Sequence, residues 1–332
     1  MARGRRRGGG GRLAILLLAA VVALLAASAG IVWWGWAGPG PAAQEFSFSV
    51  PEGATLTTAA RRLEKAGAIT STSRFLRLAR LFGSDASIRA GEYEVPAHAS
   101  QADILALLQG GRTRQRFVTI PEGMPAVLVG ERLAAEPLLT GPVPALPEGS
   151  VLPDSYSFER EDSRAAVVKR MRTAMDEALA AEWKTRKPTT AVKTPREALI
   201  LASIVEKETA LGAERRMVAA VYSNRLRTGM RLQADPTTIY PITKGKPLGR
   251  RIRKSELAAV NGYNTYAKAG LPEGPICNPG RAAIAAVLDP ADSRALYFVA
   301  DGKGGHVFAE TLAQHNANVQ RYYALRRAKG EM

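Results

Sequence analysis

The strongest constraint on the fold is a long uncharged run near the start of the chain. Residues 13–36 read LAILLLAAVVALLAASAGIVWWGW and contain no charged side chain, directly after an arginine-rich segment, residues 1–12. A helix rises about 1.5 Å per residue, so this run reaches roughly 36 Å, enough to cross a hydrocarbon core of about 30 Å. We therefore predict a transmembrane helix over 13–36, a basic tail on the inner side and the rest of the chain on the outer side.

A cleaved signal peptide is the alternative, because AASAG, inside the run, resembles a small-residue cleavage site. The apolar region of a signal peptide normally ends after about 15 residues, however. Trp33, Trp34 and Trp36 are also typical of an aromatic anchor at a membrane interface. Both observations favour an uncleaved anchor.

Charge and cysteine content limit the partners. The net charge is +16, and the chain beyond the apolar run is still basic. A location outside the cell argues against nucleic acid as the partner and favours anionic envelope polymers or lipid headgroups. The one cysteine, Cys277, cannot form an intramolecular disulfide or a zinc site alone. His306 and His315 are nine residues apart, unlike a helical pair of metal ligands, so we predict neither a metal nor a cofactor.

A strand–turn–helix pattern occurs twice after this run. Residues 46–69 and 116–139 each combine alternating apolar residues, the tripeptide PEG and a helix-like pattern with an Arg–Leu pair. The Pro/Gly/Ala-rich residues 37–45 predict a linker before the first copy. We predict a small positioning module over 46–115 and a larger domain over 116–332. Because both contain strands and helices, the predicted fold class is α+β. The alternative is that the two copies share only the general features of strand–turn–helix segments.

One helix of the larger domain carries charges in an apolar setting. Thr194 suits the N-cap, Pro195 the first helical position and Glu197 the third, so a helix is predicted from Pro195 through Glu206. At about 100° per residue, Glu206 lies on a face of small residues that can floor a cleft. Glu208 lies about 200° away, on the packed side, where it is expected to act as a structural brace. A solvated surface charge is the alternative for Glu206.

Four long motifs, in order, carry a resemblance to a known family. They are LASIVEKET (201–209), VYSNRLRTGMRLQADPTTIY (221–240), YNTYAKAGLPEGPICNPG (263–280) and LYFVADGKGGHVFAETLAQHN (296–316). Together they resemble the MltG (YceG-like) family of membrane-anchored endolytic murein transglycosylases. The resemblance implies a LysM-like N-terminal module and a catalytic domain with a lysozyme-like, glutamate-bearing helix. It also implies cleavage between N-acetylmuramic acid and N-acetylglucosamine, leaving 1,6-anhydro ends, with Glu206 as the catalytic acid.

The other motifs supply expected substrate contacts. Gln233 can donate and accept at sugar hydroxyl or N-acetyl groups, and Asp235 can orient the sugar or stabilise positive charge on it. A turn before the following proline is the alternative for Asp235. Tyr263, Asn264 and Tyr266 resemble the Tyr/Asn motif that lines the clefts of lysozyme-like transglycosylases. Two core tyrosines and an asparagine turn are the alternative for these three residues.

Structural support is expected from Arg225, in the NRL motif. We predict that it pairs with a structural carboxylate such as that of Glu208.

Two other functions remain open at this point. One is a non-catalytic scaffold that binds glycan or cell-wall synthases through its basic outer domain. The other is a muramidase, which uses water and would combine Glu206 with Asp235. The resemblance favours the transglycosylase, placed as a single-pass protein in the bacterial cytoplasmic membrane with its catalytic domain on the outer, periplasmic face. It also implies peptidoglycan glycan strands as substrate, cell-wall synthases as possible partners and termination of glycan elongation as the physiological role.

Overall fold

The computed structural model describes residues 9–51, 53–110, 113–114 and 116–330. They belong to two compact units, residues 1–115 and residues 116–332, each with its own hydrophobic core. Most of the predicted basic tail, residues 1–8, lies outside the described part of the chain. Helices and short antiparallel strands occur in both units, which confirms the mixed α+β class.

The first unit begins with the apolar helix α1, Gly9–Ala37. Its segment Ala14–Ala37 is the one stretch among the described residues that is long and apolar enough to cross a membrane. Trp36 departs from the prediction of an interfacial anchor. It is 5% exposed, and its ring lies 6.3 Å from that of Phe75. Trp36 therefore belongs to the core of the first unit, and Trp33 and Trp34 remain as the exposed aromatic pair.

A small α/β module completes this unit. It contains β1 (Phe46–Val50), α2 (Leu56–Lys65), α3 (Thr72–Phe82), β2 (Gly91–Val95) and α4 (Gln101–Gly110). The two strands pair antiparallel. Hydroxyl caps start α2 and α3, because each N-cap side chain accepts from a main-chain amide of the first turn. The two helices and α4 bury their apolar faces against one another and the strands.

The predicted linker follows the surface of this unit. The Gly40 amide donates to the His98 carbonyl over 3.0 Å, and the His98 amide donates to the Ala42 carbonyl over 2.7 Å. A Cβ at Gly40 would overlap the Ala99 carbonyl oxygen, so this close approach requires glycine. Residues 38–45 are therefore fixed along the module rather than forming a free tether.

The second unit starts with the second strand–turn–helix copy and ends with a long helix. The strands are β3 (Arg116–Thr119), β4 (Ser155–Phe158), β5 (Tyr297–Ala300) and β6 (His306–Ala309). They form two antiparallel pairs, β3 with β4 and β5 with β6. The helices are α5 (Ala126–Ala135), α6 (Arg164–Lys184), α7 (Pro195–Glu208), α8 (Gly212–Arg227), α9 (Asp235–Thr243), α10 (Lys254–Ala258), α11 (Arg281–Leu288) and α12 (Leu312–Ala328).

Helix α7 runs through the core of this unit and packs against α6, α8, α9 and α11. We predicted that its face of small residues floors a cleft, but Ala202 and Ser203 on this face are fully buried. The Ile276 amide donates to the Ser203 hydroxyl over 3.0 Å, and the Cys277 thiol donates to the Ser203 carbonyl over 3.3 Å. Small side chains here let neighbouring segments approach α7 closely, so the face is used for packing.

Candidate functional site

The last turn of α7 presents the two glutamates. The helix begins as predicted, because the Thr194 hydroxyl accepts from the Glu197 amide over 3.1 Å and Pro195 occupies the first position. It continues beyond the predicted end, through Glu208. The helix dipole places partial negative charge at this end, which disfavours an ionised carboxylate there. Glu206 and Glu208 share this helix end, but their side chains contact different parts of the second unit.

The Glu206 carboxylate is bound by a main-chain amide and by an arginine. Its Oε2 accepts from the Gly280 amide over 2.9 Å, at the N-terminus of α11, and its Oε1 lies 3.4 Å from Arg215 Nη2. The Glu206 side chain is only 5% exposed. Burial raises the pKa of Glu206, opposed by the hydrogen bond from Gly280 and by the charge of Arg215. No basic residue lies three or four positions from Glu206 in the sequence, and its partner Arg215 comes instead from the next helix, α8.

The second PEG turn contributes to the surroundings of Glu206. The Glu122 carboxylate lies 3.1 Å from Arg215 Nη2, so one guanidinium serves two carboxylates. Gly123 has a φ of +72°, and a Cβ there would stand 3.4 Å from Cγ of Glu206. Sequence reasoning did not select Glu122. The repetition of the PEG tripeptide was the one signal that pointed to this turn.

Glu208 has a different set of neighbours. Tyr222, fully buried on α8, donates a hydrogen bond to its carboxyl group, and the charges of Asp235 and Arg225 act on it. Burial, reinforced by the negative charge of Asp235, raises the pKa of Glu208 to about 7, against the effects of Tyr222 and Arg225. Its Oε1 has no hydrogen-bond partner within the described part of the chain. We call Glu208, Tyr222, Arg225, Asp235 and Tyr266 the Glu208 cluster.

Arg225 supports this cluster through the main chain. Its Nε donates to the Leu296 carbonyl over 2.7 Å, and its Nη1 donates to the Leu232 carbonyl over 2.6 Å. No ion pair joins it to Glu208 among the described residues, so that predicted pairing is replaced by a purely electrostatic interaction. The hydrogen-bond partners of Arg225 are carbonyl groups in the segment before α9 and just before β5.

Of the five predicted substrate residues, Asp235 and Tyr266 belong to the Glu208 cluster, and Gln233 lies two positions before Asp235 in the chain. The Tyr266 hydroxyl donates to Asp235 Oδ1 over 2.6 Å, and burial, reinforced by this bond, raises the pKa of Tyr266. Gln233 is exposed, with a φ of +54°, and its amide donates to the Thr265 carbonyl over 3.2 Å. Its side chain therefore remains available at the surface near Asp235.

The remaining two predicted substrate residues have internal partners. Asn264 is 1% exposed; its Nδ2 donates to the carbonyls of Glu256, Leu257 and Ala259, and its Oδ1 accepts from Thr238 and Tyr266. These contacts leave the Asn264 amide no free donor for a sugar, so the turn alternative describes its place better. The Tyr263 ring packs 4.7 Å from that of Tyr240, and the two hydroxyls share a hydrogen bond.

Glu148 is a further carboxyl group that sequence reasoning missed, as it missed Glu122. Glu148 accepts from the Ala126 amide over 2.8 Å and from the Tyr240 hydroxyl. Burial raises the pKa of Glu148 to about 7, although these hydrogen bonds and the charge of Lys207 oppose the shift. Nothing in the local sequence PEGS marked this residue, since its burial depends on α5 and α9.

A groove of about 480 Å³ lies next to the last turn of α7. Its walls include the second PEG turn and residues of α7 and α9, among them Glu122, Lys207, Pro236 and Tyr240. A volume of this size is typical of binding sites for small ligands or for a few sugar units. Lys207 lies between the two candidate glutamates on α7, and Pro236 follows Asp235, but neither glutamate is itself among the described residues that line the groove.

Comparisons with known proteins agree on one family. The model of the YceG-like family matches residues 48–321. An endolytic murein transglycosylase of Bacillus subtilis is 32% identical over 182 residues, which are 55% of this chain and 49% of that protein. Another, of Streptococcus pneumoniae, is 30% identical over an alignment of 322 positions that covers 82% of this chain and 57% of that protein. The chain thus spans about half the length of these curated relatives, 49% and 57%.

A solved structure gives the same result. The crystal structure of a putative YceG-like protein from Listeria monocytogenes matches with a TM-score of 0.52 and 27% identity. The match covers 83% of this chain and 99% of that one. Because the family match extends over most of the chain and the fold agrees with that of a YceG-like protein, the chain belongs to the YceG-like family.

Proposed function

We propose that the chain is a membrane-anchored lytic transglycosylase that cuts peptidoglycan glycan strands internally. The observation that carries the proposal is the Glu208 cluster. There, a carboxyl group with a pKa of about 7 and an unpartnered oxygen lies beside polar side chains on the family motifs. The names of the relatives, endolytic murein transglycosylases, support this reaction class. A single carboxyl group is sufficient for it, because a hydroxyl of the substrate replaces the water that a second carboxylate would activate.

The geometry favours Glu208 over Glu206 as the acid. A general acid needs a pKa near the working pH and an oxygen that no protein group engages, and among the described residues Glu208 has both. Both oxygens of Glu206 are engaged, one by Gly280 and one by Arg215. An anion at the N-terminus of a helix such as α11 is stabilised by the helix dipole, which suits a structural carboxylate. We therefore assign the acid to Glu208 and keep Glu206, the residue expected from the sequence, as the competing candidate.

In the proposed reaction, Glu208 first donates one proton and then accepts another. Protonated Glu208 donates to the glycosidic oxygen while the bond from that oxygen to C1 of N-acetylmuramic acid breaks. The C6 hydroxyl of the same sugar then bonds to C1, and its proton passes to the Glu208 carboxylate. The products are a free 4-hydroxyl on N-acetylglucosamine and a 1,6-anhydro end, and Glu208 is protonated again. No water is consumed.

The rest of the cluster fits the charge changes of this reaction. Asp235 is held by the Tyr266 hydroxyl and can stabilise the positive charge that develops on the sugar ring as the bond breaks. Gln233, exposed nearby, can bind a hydroxyl or N-acetyl group. Tyr222 orients the Glu208 carboxyl group by its hydrogen bond.

We also propose that α1 anchors the chain as a single pass in the cytoplasmic membrane. The second unit would then lie on the outer side, where cleavage would end the growth of new strands.

Analysis of the cut ends tests the proposal. The purified full-length protein, in detergent, is incubated with peptidoglycan, and the soluble and insoluble products are analysed by mass spectrometry. New 1,6-anhydro ends are expected. Ends that have gained a water molecule would mean a muramidase, and the absence of cleavage, together with a Glu208→Gln variant that replaces the wild type in cells, would mean a scaffold.

A further inference from the structure

A surface of the first unit lies where the apolar helix would leave the membrane. It consists of Trp33 and Trp34 on α1 and Leu81 and Phe82 at the end of α3, with exposed fractions of 57%, 70%, 66% and 37%. The Trp33 and Phe82 rings touch edge to face, with centroids 5.5 Å apart. Large apolar side chains of two different elements thus form one continuous exposed surface, which we call the α3 edge. Such surfaces mark interaction sites.

The depth of the α3 edge follows from the length of α1. The segment from Ala14 to Trp33 rises roughly 30 Å, which equals the thickness of a hydrocarbon core. A helix that starts its span at Ala14 therefore brings Trp33 to the boundary between acyl chains and headgroups. Phe82 touches Trp33, and Leu81 precedes it on the same exposed helix end, so both lie at this boundary too.

Helix α3 packs against the end of α1. Phe75 and Phe82 lie roughly 10 Å apart along α3, yet both rings are 6.3 Å from the ring of Trp36. Gln101 of α4 donates to the Gly35 carbonyl over 2.8 Å, which fixes the module to the same helix end. With α1 across the membrane, α3 therefore lies at the level of the membrane surface.

The charge of α3 fits a lipid surface. The helix carries three arginines, Arg74, Arg77 and Arg80, all exposed, and no acidic residue. The Arg74 guanidinium packs against the main chain at Gly35, two residues beyond Trp33 and therefore about 3 Å further along α1 from the acyl boundary. Exposed apolar side chains beside arginines are typical of helices that bind at a membrane interface.

We propose that the α3 edge is a docking surface for phospholipid, with Leu81 and Phe82 inserted at the acyl boundary and the arginines on anionic headgroups. The proposal rests on the membrane anchor of the proposed function and is independent of the transglycosylase chemistry. Continuity with the membrane-spanning helix is the reason that lipid, rather than another protein, is the occupant. The docking would hold the module in one orientation on the membrane.

Depth measurements on the full-length protein test this. The protein, reconstituted in phosphatidylcholine vesicles with phosphatidylglycerol, carries a nitroxide on Leu81→Cys, and collisions with oxygen and with a water-soluble nickel chelate give its depth. Lys65→Cys, exposed on α2, is the matched control, and the unsubstituted protein gives the background of the buried Cys277. We expect the Leu81 label to be protected from nickel and the Lys65 label to be in water. Equal exposure of the two labels would overturn the proposal.

Three further arms separate the causes. A label on Ala23→Cys, inside α1, reports insertion; if it is in water, the anchor itself fails and the docking falls with it, whatever the enzyme activity. Arg77→Gln with Arg80→Gln should weaken docking in phosphatidylglycerol vesicles by roughly fivefold per arginine. No dependence on phosphatidylglycerol would overturn the headgroup contact. Protection of the Leu81 label in native membranes but not in pure lipid would mean a protein partner and would overturn the lipid assignment.

Discussion

Replacing Glu208 with Gln tests the electrostatics of the site independently of activity. In the unfolded chain Glu208 ionises at its ordinary pKa of 4.5, and in the folded protein at about 7. The stability associated with protonated Glu208 is therefore fully present below pH 4.5, declines as the pH rises, and is lost above about pH 7. A pKa unit corresponds to about 1.4 kcal/mol, so the loss amounts to at most about 3 kcal/mol.

A Gln at this position cannot ionise, so the variant avoids this loss. We expect the free energy of unfolding of Glu208→Gln, relative to wild type, to rise by up to about 3 kcal/mol between pH 4.5 and pH 7, and then to stay constant. Urea unfolding of the full-length protein in detergent, read by proteolysis of the second unit, measures the difference. Glu148 also has a raised pKa, but it is present in both proteins and cancels.

Glu206→Gln is the matched control for this experiment. It removes the negative charge that faces Arg215 and replaces one of the two acceptor oxygens, which Gly280 and Arg215 share, with an NH2 group, so it should lower stability at neutral pH. Parallel curves for wild type and Glu208→Gln from pH 4.5 to pH 8 would refute the reasoning, because Glu208 would then ionise alike in the folded and unfolded chain.

Activity should fall as the pH rises above about 7, because Glu208 must be protonated to donate; a rate of strand cleavage that is flat from pH 6 to pH 9 would contradict this. Tyr266→Phe removes the hydroxyl that holds Asp235 and should lower cleavage roughly tenfold or more, measured as kcat/KM on purified strands, with the fold unchanged by circular dichroism. Asn264→Ala should lower the free energy of unfolding by about 3 kcal/mol, measured in urea, because several buried hydrogen bonds are lost together. Arg215→Met should lower stability but leave the chemical nature of the products unchanged; a change from anhydro to hydrated ends would place this residue in the chemistry.

Local chemistry in the sequence was enough to predict several elements. The Thr194 cap and Pro195 set the start of α7, and alternation followed by PEG predicted both strand–turn–helix copies. Such features depend on hydrogen bonds within a few residues, so a sequence shows them directly.

The environment of each glutamate could not be predicted in this way. A helical wheel gives the direction of Glu206 and Glu208 but not what meets them. Glu206 meets Gly280, 74 residues away in the chain, and Glu208 meets side chains of α8 and α9. Trp36 shows the same limit, because a tryptophan at the end of an apolar helix suits a membrane interface until Phe75 covers it.

Strand cleavage by Glu206→Gln and Glu208→Gln, compared side by side with wild type, tests the central claim most directly. The full-length proteins are incubated with the same peptidoglycan at pH 6.5, and 1,6-anhydro ends are counted by mass spectrometry. We predict that Glu208→Gln loses cleavage by at least about 100-fold, while Glu206→Gln, if it folds by circular dichroism, still forms anhydro ends. Loss of cleavage in a folded Glu206→Gln protein, with activity retained in Glu208→Gln, would contradict the assignment and return the acid to Glu206.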